Sequence, residues 1–144
     1  MKAGRVVMAA ESCMQYKEAA EVMGSPQLLP VERKAYDMIL IVVKFKTKPD
    51  WSDKWLDLVH DFTLATRAEP KNLWFDWSRS VDDPSEFVLV EAFEDDGAVP
   101  HVESDHFKKA MQDMPRALAI TPHIVNTTIE GVNEWGRMGE LAIE

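Results

Sequence analysis

The chain has 144 residues, 46% of them apolar and 28% charged, and a formal net charge of −9. That length suits one globular domain and is short for two, and no apolar run approaches the roughly 20 residues that span a bilayer. The acidic surplus falls entirely in residues 38–144, eleven basic against twenty acidic, with five of each in the first 37, which argues against nucleic acid or an anionic membrane surface as a partner.

Cys13 is the sole cysteine; it cannot form an internal disulfide, and no CxxC or other thiolate metal spacing is present. The N-terminus lacks the charged and then continuously apolar pattern of a signal peptide. A reducing cytoplasm is the expected location. Residues 1–37 carry Met1, Met8, Met14 and Met23, then the breakers Gly24-Ser25-Pro26 and Pro30. They read as a poorly ordered N-terminal extension. Glu11 to Met23 could form a short helix, and an arm reaching a partner subunit is the alternative.

From Met38 the punctuation is regular. Ile39 to Lys46 is β-branched and then alternating, which predicts a strand ended by Pro49. Asp50 or Ser52 is placed to cap a helix running to about Ala68, with Trp55, Leu58, Val59 and Phe62 along one face. Pro70 closes it. Leu73 to Val81 alternates, Asp82-Asp83-Pro84-Ser85 is turn chemistry, and Glu86 to Phe93 is a further strand, so the pair reads as a hairpin. Asp95 to Met114 is helical but broken by Gly97 and Pro100, with Ser104-Asp105 capping a second segment. Pro115 and Pro122 bracket a loop before a last strand, His123 to Ile129. The order β-α-β-β-α-β is the split βαβ, ferredoxin-like α+β arrangement, an antiparallel sheet with both helices on one face. Its other face requires a cover, and a second copy is the economical one. Residues 38–131 form the domain and 132–144 a C-terminal tail, on which Trp135 could anchor to a partner subunit.

Three blocks carry a family resemblance. Glu69-Pro70-Lys71-Asn72-Leu73-Trp74-Phe75-Asp76 resembles a turn into the second strand of the pattern E-P-G-N-L-R-F/Y-E/D. Glu86 to Asp95 resembles a third strand of the form E-F-x-L-x-E-x-W/Y-x-D, and His101-Val102-Glu103-Ser104-Asp105-His106-Phe107 resembles H-x-x-S-x-H-F on the second helix. In this order they resemble the antibiotic biosynthesis monooxygenases of the dimeric α+β barrel superfamily, closest to the quinol monooxygenase and autoinducer-processing members. The stretch from Glu91 to His101 is one residue shorter than that pattern, which would turn His101 by about 100° on a regular helix.

The resemblance implies a homodimer with no cofactor and no metal, oxidising a small phenolic, quinol or polyketide-like aromatic with O₂. The substrate anion would reduce oxygen itself, so the protein need only hold a flat ring, accept a proton and stabilise anionic oxygen. Alternation sorts the strands: Leu73, Phe75 and Trp77 are expected under the helices, and Asn72, Trp74, Asp76 and Ser78 in an interface-side cavity. In the third strand Val88, Val90 and Ala92 are assigned to the helices, and Phe87, Leu89, Glu91 and Phe93 to the cavity. His101, Glu91, His106 and Asn72 are the catalytic candidates; Trp74, Asp76, Phe93 and Leu89 are the substrate-binding ones. His101 and His106 lie five apart rather than at the i, i+4 spacing of a helical metal pair, and the Asn and late helical His of haem-degrading relatives are missing. An isomerase or degradative enzyme on a small oxygenated metabolite is the alternative function, and a non-catalytic ligand-binding dimer is a third.

Overall fold

A computed structural model describes residues 37–143; the expectations for the N-terminal extension, its short helix included, lie outside them. Four strands, β1 (Met38–Lys46), β2 (Asn72–Arg79), β3 (Glu86–Glu94) and β4 (His123–Ile129), form one sheet in the order β2-β3-β1-β4, antiparallel at each pairing. The helices are α1 (Trp55–Leu58), α2 (His60–Arg67), α3 (Ala98–Glu103) and α4 (Asp105–Asp113). This is the ferredoxin-like α+β domain expected from the sequence.

The first helical stretch departs from expectation in two places. Neither Asp50 nor Ser52 caps it; Pro49 opens a 3₁₀ turn, and the Ser52 hydroxyl bonds the Thr47 hydroxyl at 2.9 Å. The helix also breaks at Val59, whose carbonyl accepts a 2.7 Å hydrogen bond from Thr63 Oγ1. Such back-bonding by a threonine bends helices. Trp77 Nε1 then donates to the same hydroxyl at 2.9 Å and ties β2 to the bend.

The core lies between sheet and helices as two aromatic groups. One contains Phe45, Trp55, Trp77 and Phe87, with ring centroids 5.2 to 6.1 Å apart. The other contains Phe62, Phe75, Phe93 and Phe107, and His101 is inserted among them. Register decides the faces, because opposed residues in a sheet share one. Phe75 opposes Glu91 and Trp77 opposes Leu89, so Phe87, Leu89, Glu91 and Phe93 all point to the helices. Their assignment to an interface-side cavity is therefore overturned, and Val88, Val90 and Ala92 take the other face. On β3 size misled the choice of face, because Val88 and Val90 are small without being core; on β2 the bulge between Asn72 and Trp74 displaces Asn72 alone.

The open face carries Leu40, Val42, Val88 and Val90, half-buried, with Val125 69% exposed on the edge strand. Trp135 from the tail packs at a tilt against Trp74 of its own chain, ring centroids 5.3 Å apart, so its contact within the chain is with this face.

Candidate active site

Three local features bring a carboxylate and two imidazoles together. Glu69 ends the turn after α2, where Asn72 N donates to the Glu69 carbonyl at 3.1 Å. Gly97 caps α3 against the following residues of the same turn, and a Cβ there would stand 2.7 Å from Lys71 Cβ and 3.1 Å from the Lys71 carbonyl oxygen. Only bare backbone allows that approach. Ser104 then breaks the helix, its side chain accepting from Phe107 N at 3.1 Å and donating to the His101 carbonyl at 2.6 Å. That is the cap expected there, and it re-aims α4 so that two histidines five apart in sequence face one group.

The group is Glu69 Oε1, 2.8 Å from His101 Nδ1 and 2.5 Å from His106 Nε2. Burial acts to raise the Glu69 carboxyl, but the bonds and charges of His101 and His106 outweigh it and hold the group below its ordinary value. An ionised carboxylate accepting from both rings assigns hydrogen to His101 Nδ1 and His106 Nε2. The second nitrogen of each ring, His101 Nε2 and His106 Nδ1, then points away from Glu69. His101 Nε2 lies 4.0 Å from Glu91 Oε2, which has no hydrogen-bond partner. Burial, and secondarily the Glu69 charge, push the Glu91 carboxyl up to about 8, so it carries its proton at neutral pH.

Access separates the two histidines. His101 is 3% exposed and surrounded by Phe93 at 4.7 Å, Phe107 at 5.1 Å and Phe62 at 5.8 Å between centroids. His106 is only partly buried and lines a surface cleft with Glu69. A substrate can thus meet His106 and Glu69 directly, and His101 through Glu69.

The other candidates are dispersed. Asn72 donates from Nδ2 to the Trp74 carbonyl at 3.0 Å and the Ala92 carbonyl at 3.3 Å, stapling the bulge. Trp74 lies on the open face, and Asp76 is exposed beside Arg67 at 3.8 Å. Phe93 walls the His101 cage rather than an interface cavity, and Leu89 is core. Glu69 was not singled out from sequence, although it opens the first of the three family blocks. The five-residue spacing, set against the i, i+4 of a helical metal pair, presumes an unbroken helix, and Ser104 breaks it. Glu69, His101 and His106 present ligand-type atoms within 4.8 Å of one another, a set that could ligate a divalent ion; here they are joined by hydrogen bonds. No helix among the described residues is long and apolar enough to cross a membrane.

The fold is thus a small ferredoxin-like α+β domain with an apolar open sheet face, and its turn and helices hold a carboxylate clasped by two imidazoles. The chain belongs to the antibiotic biosynthesis monooxygenase family, whose pattern it matches over residues 38–113. It is 26% identical over 93 residues to "Putative monooxygenase YcnE" of Bacillus subtilis (strain 168), covering 64% of this chain and 98% of that one. Among solved structures, the "Putative antibiotic biosynthesis monooxygenase from Nitrosomonas europaea" superposes with a TM-score of 0.60 at 26% identity, covering 62% of this chain and 88% of its own. A conserved protein from Methanosarcina mazei Go1, at 21% identity and TM-score 0.60 over 65% of this chain and 94% of its own, shares the fold. These matches support a monooxygenase-like function at the level of the family.

Proposed function

We propose that the protein is a cofactor-independent monooxygenase, acting in the cytoplasm as a homodimer on a small phenol or quinol with O₂. The observation that carries this reading is the Glu69 carboxylate held between His101 and His106, in a chain of this family. Glu69 fixes the ring of His106 so that its second nitrogen, Nδ1, accepts the phenolic proton. The electron-rich phenolate transfers an electron to O₂, and the radical pair combines to place one oxygen atom on a ring carbon while the other leaves as water. For hydroquinone the balance is quinol plus O₂ giving hydroxyquinone plus water. His101, caged by rings, is a positioning residue that holds Glu69. The half-buried valines of the open face, with Val125 exposed on its edge, favour sheet-to-sheet pairing.

Oxygen uptake by chelator-treated protein tests this against hydroquinones. Uptake above autoxidation that falls at least a hundredfold in His106→Ala, yet persists without metal, is expected; no uptake on any phenol would sink it. A second reading has one observation of its own. The protonated Glu91 carboxyl, 4.0 Å from His101 Nε2, supplies an acid beside a base, as an isomerase acting on a small oxygenated metabolite would need. Turnover under nitrogen would select it.

A further inference from the structure

The pair Glu69–His106 is reached from the outer side of the helix layer, away from the open sheet face. A cleft of about 220 Å³ lies there, lined by Pro70, Lys71, Gly97, Pro100 and Ser104 together with Glu69 and His106. Its exposed wall is otherwise overwhelmingly apolar. Gly97 leaves bare backbone in this wall, where a side chain would collide with Lys71. On the opposite side of His106 a depression of about 200 Å³ between α2 and α4 is lined with the charged Asp61, Lys109 and Asp113, and Glu69 does not reach it.

We propose that the cleft between the Glu69–Lys71 turn and α3 is the ligand site of this domain, and that it takes an uncharged single-ring hydroxyaromatic. The proposal rests on the reading above that Glu69 and His106 form the proton-accepting pair. The ring lies against Pro70 and Pro100 across Gly97, and the hydroxyl meets His106. Size sets the ring count: an apolar cavity of roughly 150 Å³ accepts benzene, so 220 Å³ holds one ring with one or two small substituents. Three fused rings would leave most of their apolar surface in water, which separates a quinol from a polyketide-like tricycle. Charge sets the second preference. Lys71, the cation at the rim, is paired with Asp96, and the floor carries the Glu69 carboxylate. A carboxylated ring therefore meets negative charge with no free cation to offset it.

The test is an NMR titration of the ¹⁵N-labelled full chain with 4-methylphenol, which lacks the second hydroxyl that makes quinols autoxidise. Saturable amide shifts at Lys71, Gly97 and His106, with Trp74, Val90 and Val125 unmoved, are expected. Pro100→Trp, at an exposed position, should weaken binding at least tenfold, and 4-hydroxybenzoate and anthrone should each bind at least tenfold more weakly than 4-methylphenol. Shifts centred on Trp74, Val90 and Val125, no saturable shifts, or anthrone binding as tightly as 4-methylphenol would overturn the assignment. The map on the unsubstituted chain decides even if Pro100→Trp misfolds. Cleft shifts without oxygen uptake from hydroquinone would keep the site and remove the monooxygenase reading; uptake with shifts on the sheet face would do the reverse.

Discussion

Replacing Glu91 by glutamine should change the pH dependence of stability more than stability itself. The Glu91 carboxyl is 6% exposed, opposes Ile41 and Phe75 in the sheet, and faces two titratable groups, His101 on α3 and Glu69 on the turn. Its value rises from 4.5 to about 8, chiefly by burial and secondarily by the Glu69 charge. The folded chain therefore binds this proton more tightly than the unfolded chain does. Stability from this group is present in full below pH 4.5, declines as pH rises towards 8, and is flat above. At about 1.4 kcal/mol per unit, the decline is on the order of 4–5 kcal/mol. Glutamine resembles the protonated acid in shape and cannot ionise, so the variant should lack this decline. Urea unfolding at fixed protein concentration, at half-unit steps from pH 5.5 to 9, gives the difference between the two proteins. Glu69, held below its ordinary value, acts in the opposite sense: its contribution is lost as pH falls through the acid range, below this window. The variant should match or exceed the wild type at pH 5.5, and its lead should grow by roughly 3 kcal/mol as pH rises to 8 and then stay level to pH 9. A difference that stays constant across the window would refute both the burial argument and the protonated state assigned to Glu91.

Glu69→Gln keeps the shape of the clasp and removes the charge that two imidazoles bond, at roughly 1.5–3 kcal/mol for each charge-assisted bond lost; a drop in Tm with loss of oxygen uptake is expected, and an unchanged Tm would count against the clasp. Gly97→Ala forces a Cβ to 2.7 Å from Lys71 Cβ and 3.1 Å from backbone oxygens. It should cost roughly 1–3 kcal/mol by overpacking, read by urea midpoint, and a neutral result would mean that the turn and α3 separate easily. Val90→Arg places a charge on the open face, opposite Val42, and should convert a homodimer to monomers by light scattering with helix content retained. A monomeric wild type would remove the dimer instead.

The fold was legible because its signals are local. Breakers at Pro49, Pro70, Pro84 and Pro122 separate runs whose period is unambiguous, and the last strand runs from His123 to Ile129 as read. The helix cap at Ser104 was equally visible, since a serine before Asp105-His106 acts on the next turn. Faces were harder because they depend on partners. Phe87, Leu89, Glu91 and Phe93 alternate correctly, but only the register with Phe75 and Trp77 says which side is which. A single bulged residue at Leu73 puts Asn72 opposite Phe93 on the helix side while Trp74 stays on the open face, and the Asn72 amide is spent closing that bulge.

The site shows the same limit in chemical terms. His101 and His106 were named from sequence, yet their relation was misjudged on two grounds that both presumed a regular helix. A shortened connection should turn His101 by about 100° on a regular helix, and a spacing of five departs from the i, i+4 of a helical metal pair. Gly97 and Ser104 undo both presumptions: one lets α3 approach the turn, and the other stops it after one and a half turns. The residue that gives the histidines a common hydrogen-bond partner, Glu69, lies 32 and 37 positions away and has no periodic signature of its own. What could have found it is the conjunction of an acidic residue immediately before Pro70 with a pair of histidines that has no partner on its own helix. A carboxylate that precedes a strand and faces the end of the helix layer is where two imidazoles can be held by one acceptor, with only His106 reaching the surface, and the proposed transfer of a proton from a bound phenol to His106 draws on that arrangement.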